Sequence, residues 1–497
     1  VLVNGFRLLR LNPLQLTKDG LKGEKKGRFL VIQTFLGLGA MGYGYYLALS
    51  VKDPVTAIMS FFLAVLLVIL GTYLLFNAGT TVVLQLLKKK KNYYYKPNNM
   101  ISTSNLVFRM KKNAVGLATI AILSSMVLVT LVGAASIYAG KKDYLASAAP
   151  HDYSVTGTNV DLTSTEKIMD DFLAQSGNQV NEKAEVTYLY FGIKEQEKNK
   201  LTIFPENERK VLPKSIFLVF SQATYKQLTG KDLNLASNQV GLYSKSKTLK
   251  DQKSLSFNGQ TYQIQDDIND FIKGKVPNIF TIIVSDYNYL VVPDMDVFKE
   301  SIKGTATTQA TYIGVNVKDP THDAKKNSDL LDQMTDKETQ QLAGHTTGVS
   351  QSYLTANSQY DTEGMLNGFV GGTFFIGIFL SIIFMLGTVL VIYYKQISEG
   401  YEDRERFVIL QKIGLDDLQV KQTIRKQVLT VFFLPLIFAF IHLAFAYHML
   451  SLIVRIIGVF NPSLMLVVTI IVCGVFFLAY VLVFALTSRS YRRIVSM

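Results

Sequence analysis

The residues with the chemistry most often found in active sites are few and widely spread. A glycine-rich run from Gly37 to Gly44, GLGAMGYG, contains the G-x-G-x-x-G spacing that binds dinucleotides when it joins a strand to a soluble helix. Here the run lies inside a long apolar stretch, where small residues let two helices approach closely. We therefore interpret these glycines as helix-packing residues and not as a nucleotide site.

The sequence also has no pattern for hydrolysis or metal binding. It contains no G-x-x-x-x-G-K-[ST], no G-x-S-x-G and no H-E-x-x-H. Of its five histidines, His442 and His448 share one apolar stretch but are six residues apart, about 600° around a helix. They cannot share a helix face, so we predict no metal site, no cofactor and no enzymatic activity in this chain. Its one cysteine, Cys473, leaves it without an internal disulfide.

Six apolar stretches are each long enough to cross a membrane as a helix. About 20 helical residues span the roughly 30 Å of hydrocarbon in a bilayer. We therefore predict a multi-span α-helical protein of the cell membrane. No predicted span contains a charged residue, so any transport would draw its energy from a partner. The spans are Leu30–Leu49, Ala57–Phe76, Gly116–Ala139, Phe369–Tyr393, Val428–Leu452 and Leu464–Leu486.

The distribution of charge predicts which connections face the cell interior. Residues 140–368 carry 24 Lys and Arg against 29 Asp and Glu, whereas the rest of the chain carries 27 basic and 9 acidic residues. Of those 27 basic residues, 25 lie in four connections, and basic residues accumulate on the cytoplasmic side of a membrane. We therefore place residues 140–368 outside the cell. The predicted cytoplasmic segments are a basic lead (1–29), a linker (77–115), a second connection (394–427) and a tail (487–497).

The outer segment has the pattern of a mixed α+β domain. Strand-like runs include EVTYLYFGI, SIFLVF, FTIIVS and TYIGVNV. Asn258 and Gly259 form the two-residue turn of a predicted hairpin. We expect helices to begin at Ser164, Ser221 and Pro293.

The linker 77–115 contains a short amphipathic segment after a run of lysines that we interpret as a stop-transfer anchor. Ser102 or Ser104 can cap a helix here. Such a helix would lie in the inner membrane interface, with apolar residues on one face and basic residues on the other. The residues of this predicted interfacial helix are Leu106, Val107, Arg109, Met110, Lys111 and Lys112.

The connection 394–427 contains the stretch SEGYEDRERFVILQKIGLDD, which is too structured for a plain loop. Residues 402–412 have a helical pattern with an apolar run in its middle, and Gly414 suits the left-handed position that ends a helix. Asp416 or Asp417 can then start the next helix. We predict a cytoplasmic coupling element with Glu405, Arg406, Phe407, Leu410, Gly414 and Leu415 as its contact residues.

At these residues the chain resembles a known family. DRERFVILQKIGLDDLQVKQTI is similar to the cytoplasmic signature of FtsX-like permeases, and YKPNNMISTSNLVFRMKKNAVGLATIAILSSMVLVTL resembles the Bce-type permeases of antimicrobial-peptide modules. Such permeases have ten spans with one extracellular domain between the seventh and the eighth. The resemblance implies an FtsX/MacB-like permease module that lacks its first four spans.

The resemblance also implies partners. An ABC permease of this type is worked by a separate ATPase subunit, in two copies, and handles peptide antibiotics that sequester lipid-linked cell-wall intermediates. In many modules the permease also signals to the histidine kinase of a two-component system. Two alternatives stay open: a non-transporting FtsX-type transmitter that acts on a cell-wall partner, and a tethered extracellular enzyme. We expect no nucleic-acid partner.

Overall fold

A computed structural model describes residues 27–95, 97–208, 213–244, 246–277, 287–343, 352–412, 417–457, 459 and 461–495. The chain is helical up to its outer domain. The Asp53 carboxylate accepts a hydrogen bond from the backbone N–H of Thr56 at 2.8 Å and so caps the second helix. A π-helical turn, Leu75–Gly79, joins that helix to the third without a break. The helices are α1 (Gly27–Ser50), α2 (Pro54–Leu74), α3 (Thr80–Lys89), α4 (Lys91–Tyr94) and α5 (Pro97–Ala148).

The outer domain follows α5 and contains ten of the described strands in one sheet. Its elements are β1 (Tyr153–Thr158), α6 (Leu162–Ser176), β2 (Val180–Glu197), β3 (Lys200–Ile203), β4 (Ser215–Ser221), α7 (Gln222–Thr229), β5 (Gln239–Ser244), α8 (Lys247–Lys250), β6 (Ser254–Phe257), β7 (Gln260–Asp267), β8 (Tyr287–Val292), α9 (Met295–Ser301), β9 (Thr307–Val317), α10 (Ala324–Ala343) and β10 (Tyr353–Ser358).

Strand β2 organises the sheet because it pairs with three other strands. Its first part pairs with β9, its middle with β4 and its end with β3. Strands β2, β3, β6, β7, β5, β8 and β4 therefore close into a ring. Successive strand residues point to opposite faces, so Phe191, Phe217 and Leu290 fill the ring while Tyr188, Leu218 and Tyr289 pack outside it.

The remaining strands form a flat layer covered by two helices. The order is β10, β1, β9 and the first part of β2, all antiparallel. Helices α6 and α10 pack on this layer through Phe172 and Leu331, which contact Tyr153 and Ile313 in one buried cluster. The outer domain thus has its own apolar cores, as the predicted mixed α+β domain requires.

Most of the local predictions for the outer domain agree with the structure. The β6–β7 hairpin turns at Asn258 and Gly259, whose φ angles are 48° and 96°, and Ser221 caps α7. Helix α6 begins at Leu162, two residues before the predicted Ser164, because Asp161 is its cap. Helix α9 begins at Met295 with Asp294 as its cap, two residues after the predicted Pro293. The predicted strand FTIIVS lies outside the described residues.

Three long helices complete the chain: α11 (Gln359–Lys412), α12 (Asp417–Ile456) and α13 (Pro462–Val495). They enclose a buried apolar cluster with α5, in which Leu128, Ile392, Phe432 and Tyr480 are members from the four helices. Helices α1 and α2 pack on the other side of α12. Large apolar side chains elsewhere on these helices are exposed, as expected of surfaces that contact lipid.

The six predicted spans all lie in helices, and the protein is a multi-pass membrane protein. Among the described residues, five segments are long and apolar enough to cross a membrane: Pro54–Lys89, Asn113–Ala148, Gln359–Tyr401, Val428–Ile456 and Pro462–Arg489. Helix α1 is the exception among the six. It has 24 residues, but five glycines and three tyrosines lower its mean hydropathy.

The glycines of α1 confirm the helix-packing interpretation at two positions. A Cβ at Gly37 would lie 2.9 Å from the Cβ of Leu74, and one at Gly44 would lie 3.0 Å from Val68. Both neighbours are on α2. Gly39 and Gly42 face open space instead. The spacing of seven residues between Gly37 and Gly44 places both on one helix face, so only these two allow close approach.

Candidate coupling site at the inner ends of the membrane helices

Helix α11 carries four of the predicted coupling residues. It runs for 54 residues, about 81 Å, from the outer domain to Lys412. The predicted coupling element therefore continues α11 and is not a separate short helix, since residues 402–412 follow the rest of α11 without a break. Glu405, Arg406, Phe407 and Leu410 lie on this helical backbone. Gly414 and Leu415 lie outside the described residues, and α12 begins at Asp417 as predicted.

The predicted interfacial helix is likewise part of a longer one. Helix α5 is continuous over 52 residues from Pro97, since residues 98–115 contain no Gly or Pro to end it. Met110 is 2% exposed and packs with Phe76 and Leu117 inside the protein, so its predicted contact with lipid is wrong. The predicted interfacial location stays a prediction, because the side chains of Leu106, Val107, Arg109, Lys111 and Lys112 lie outside the described part.

Helices α5 and α11 pack antiparallel along their length. A Cβ at Gly377 of α11 would overlap the methyl group of Ala134 on α5, which makes this the tightest glycine contact between the two helices. Toward the outside, Tyr138 and Phe374 stack with ring centroids 4.7 Å apart. We call the contact surface between α5 and α11 the seam. Small residues in the middle of the seam bring the two backbones together.

An inner polar cluster closes this seam on the side of the predicted coupling element. We define it as Asn113 of α5 with Lys395 and Glu399 of α11. The Asn113 amide donates to the Glu399 carboxylate, and Lys395 Nζ donates to the Asn113 carbonyl at 3.4 Å. Lys395 Nζ and Glu399 Oε1 are 4.0 Å apart, with side chains only 12% and 10% exposed. The cluster is a buried ion pair with a polar partner on the neighbouring helix.

Sequence reasoning missed the inner polar cluster. The predicted span ended at Tyr393, where the apolar residues stop, so Lys395 and Glu399 were counted with the cytoplasmic connection. Their spacing of four residues is a signal for a helical ion pair. Their burial depends on Asn113, which is 286 residues from Glu399 in the chain, and no local pattern reveals that contact.

A second, outer polar cluster lies at the other end of the same seam. It consists of Lys141 on α5 with Glu363 and Asn367 on α11. Lys141 Nζ is 3.0 Å from Glu363 Oε1 and also donates to the side chain of Asn367. Glu363 is 49% exposed, so this cluster is more accessible to solvent than the inner one. The apolar seam is thus bounded by polar contacts on both sides.

The histidines within the membrane helices have separate hydrogen-bond partners. His442 contacts the hydroxyl of Tyr45 through Nδ1 at 2.6 Å and that of Thr72 through Nε2 at 3.1 Å. His448 Nε2 contacts the carbonyl of Val51 at 2.9 Å. Both side chains therefore contact the α1–α2 pair, at different points along it. Within the described ranges, no three His, Cys, Asp or Glu side chains come close enough to hold a metal ion.

Comparisons with known proteins agree with the cytoplasmic motif. No family model matches the chain. It is 24% identical over 446 residues to the ABC transporter permease protein YxdM of Bacillus subtilis, covering 88% of this chain and 65% of the relative. It is 22% identical to the uncharacterized ABC transporter permease YvcS of Bacillus subtilis, covering 98% and 72%. Identity to the bacitracin export permease protein BceB of Bacillus subtilis is 23%, covering 86% and 63%.

These similarities extend over membrane helices and outer domain alike, since each covers at least 86% of the chain. The chain spans about two thirds of the length of the curated relatives it matches, from 63% to 72%. The motif in the second cytoplasmic connection and the whole-chain similarity point to one family. The predicted resemblance is confirmed: over most of its length the chain is similar to curated ABC transporter permeases, among them the bacitracin export permease BceB.

Proposed function

We propose that the chain is the permease subunit of an ABC transporter that senses cell-wall-targeting peptide antibiotics and confers resistance to them. A separate ATPase subunit, in two copies, would supply the energy. The peptide or the lipid-linked cell-wall intermediate that it sequesters would be the ligand, and the histidine kinase of a two-component system would receive the signal. The names of the relatives support the permease role, and BceB supports the antibiotic class.

The observation that carries the proposal is the unbroken path of α11. The helix begins in the outer domain at Gln359 and continues to Lys412, far beyond the roughly 30 Å of hydrocarbon. A rigid rod of this length joins the surface where an antibiotic arrives to the side where an ATPase would bind. Binding energy or ATP hydrolysis at one end can therefore displace the other end.

The outer end of α11 is firmly attached to the outer domain. Ser358 caps the helix, because its hydroxyl accepts from the backbone N–H of Asp361 at 3.0 Å. Ser328 of α10 donates to the Ser358 hydroxyl at 2.8 Å and also contacts the Asp361 carboxylate. These side chains link α10, β10 and α11 in one buried network. A movement of α11 would consequently be passed to the covered layer of the outer domain.

At the inner end we propose that residues 402–415 enter a groove of the ATPase subunit. Phe407 and Leu410 would be the buried contacts, Glu405 and Arg406 would set the register, and Gly414 with Leu415 would end the helix. Truncating a buried aromatic anchor costs about 2–4 kcal/mol of binding energy. That corresponds to a loss of affinity of roughly 30- to 1,000-fold.

The test is co-purification of the ATPase subunit with Phe407→Ala, measured beside the survival of cells exposed to bacitracin. We expect Phe407→Ala to lose both, with normal abundance in the membrane. Tyr394→Ala is the matched control, because Tyr394 is an aromatic residue on the same helix that is 67% exposed and directly follows the predicted span. Normal ATPase binding and normal survival for Phe407→Ala would contradict the proposal. Lost ATPase binding with unchanged survival would instead support the transmitter alternative.

A further inference from the structure

The inner polar cluster is unusual because it holds two charged side chains that the surrounding protein largely covers. Lys395 and Glu399 lie in the membrane-compatible segment Gln359–Tyr401, with side chains 12% and 10% exposed. Ionisable groups in such segments are costly, and where they occur they usually serve a function. A buried ion pair adds little net stability, because removing both charges from water offsets their attraction. Stability alone therefore does not explain the pair.

The surroundings of the cluster are shaped to hold it. A Cβ at Gly116 would lie 3.7 Å from Cδ of Lys395, so the lysine stem lies directly across this glycine of α5. Gln396 is 8% exposed, and its Oε1 has no hydrogen-bond partner among the described residues. Gln396, Lys395 and Glu399 line a cavity of about 20 Å³, which is large enough for one water molecule. The cluster thus borders a small, largely apolar cavity between four helices, with Leu117, Ile392, Val428 and Tyr480 among the lining residues.

The inner and outer polar clusters are separated by the same number of residues on α5 and on α11. On α5, 28 residues separate Asn113 from Lys141; on α11, 28 residues separate Asn367 from Lys395. Both intervals are about 42 Å along a helix. Only one antiparallel register of α5 and α11 satisfies both clusters at once, because a shift by one turn would separate both sets of partners.

We propose that Asn113, Lys395 and Glu399 form a positioning site that fixes the register of α11 against α5 at the inner membrane surface. The site lies between the apolar seam and the cytoplasmic end of α11. With this positioning site in place, a displacement of residues 402–412 would move the contact surface between α5 and α11 and would not merely bend α11. The inference rests on the proposed function for its purpose, but the register itself is a property of this chain and is tested without a partner.

The experiment measures the register directly in the full chain in lipid nanodiscs. Spin labels are attached to Val115→Cys and Tyr401→Cys in a Cys473→Ala background, since Val115 and Tyr401 are 65% and 61% exposed on α5 and α11. Distances between the labels are measured by pulsed electron paramagnetic resonance, and thermal stability by calorimetry. The variants are Glu399→Leu, Lys395→Met and the two combined.

The combined variant separates positioning from stability. Each single variant leaves one buried charge unpaired and should lower the melting temperature, whereas the combined variant removes both charges and should regain most of the loss. We expect the label distances of the combined variant to shift or broaden by about 2 Å or more, the scale of helix shifts in switching proteins. A combined variant that melts normally and keeps the narrow parental distances would overturn the proposal.

Two controls keep the result interpretable. Lys141→Met with Glu363→Leu removes the outer ion pair and should leave the inner label distances unchanged. If the combined inner variant does not fold, Asn113→Ala decides the question, because it removes the side-chain hydrogen bond from α5 to Glu399 and leaves in place both charges and the longer 3.4 Å contact of Lys395 to the backbone carbonyl. Broadened distances then support the positioning site, and parental distances refute it. Neither outcome depends on ATPase binding, so failure of the proposed function would be seen separately.

Discussion

His151 lies at the junction where the last turn of α5 gives way to the first strand of the outer domain. It is 4% exposed, and its Nδ1 is 2.7 Å from the hydroxyl of Tyr312. Burial lowers the pKa of His151, although the charges of Glu182 and Asp152 act in the opposite direction. Burial is the largest of these effects, so the folded protein favours the neutral imidazole.

The junction should therefore weaken in acid. A histidine whose pKa is lower when folded contributes its full stability above the unfolded pKa of about 6.5. That contribution is lost as the pH falls below this value, at most about 1.4 kcal/mol per pH unit for one proton. We expect the melting temperature to fall between pH 7.5 and pH 5, and His151→Asn to reduce the slope. His322→Asn is the control, because the side chain of His322 is 74% exposed. Equal slopes in all three proteins would contradict this prediction.

Single residues show where sequence reasoning succeeds and where it stops. The run Gly37–Gly44 is predicted to allow close helix packing because it lies in an apolar stretch. Which glycines pack was not predictable, since that depends on the side from which α2 approaches. Lys395 and Glu399 of the inner polar cluster are four residues apart, a spacing that the sequence shows. Their buried partner Asn113 comes from another helix. Local pattern thus predicts residue type and spacing, whereas burial is decided by tertiary contacts.

At the scale of elements, the seam between α5 and α11 should not tolerate added volume. The methyl of Ala134 occupies the space beside Gly377, whereas Gly372, five residues earlier on α11, faces open space. Gly377→Leu would force the backbones apart, and overpacking of this kind costs about 1–3 kcal/mol. We expect a lower melting temperature for Gly377→Leu in detergent and little change for Gly372→Leu. If both variants melt alike, the two helices do not meet as tightly as described.

All six predicted spans lie in helices, but the ends of those helices were not predicted. An apolar stretch marks the part of a helix that contacts lipid or core, and it says nothing about where the helical backbone stops. Helices α5 and α11 continue through polar residues, and α11 passes Gly400 without a break, because the two helices pack against each other. For this reason the interfacial helix and the coupling element were both predicted as separate pieces.

At the scale of the whole molecule, the charge asymmetry predicts the orientation in the membrane. Thr261 is exposed beside the β6–β7 hairpin of the outer domain, and Lys90 is exposed at the end of α3. In a Cys473→Ala background, Thr261→Cys should react with an impermeant maleimide in intact cells. Lys90→Cys and Gly414→Cys should react only after the membrane is permeabilised. The reverse pattern would invert the topology and remove the basis for an inner coupling site.

The ring of strands in the outer domain marks the limit of whole-molecule prediction. Its closure depends on β2, whose middle and end pair with β4 and β3 while its beginning pairs with β9. The nearly continuous apolar run from Val186 to Ile193 identifies β2 as a strand with apolar residues on both faces. This pattern does not specify which strands become its neighbours, because those pairings join residues as far apart in the chain as Val180 and Val317.

The equal intervals between the two polar clusters also relate the length of the helix pair to the thickness of the membrane. Their separation of about 42 Å matches a bilayer that includes its headgroup layers, which is roughly 40–45 Å. The helix pair cannot adjust to a thinner or thicker membrane by sliding one helix along the other, since Lys141 and Lys395 would both lose their partners. Tilting of the pair as one body is the adjustment that remains, at a cost of a fraction of a kcal/mol per Å of mismatch. Varying the acyl-chain length of the nanodiscs should therefore change the tilt of α5 and α11 together and leave the distance between the labels on Val115→Cys and Tyr401→Cys unchanged.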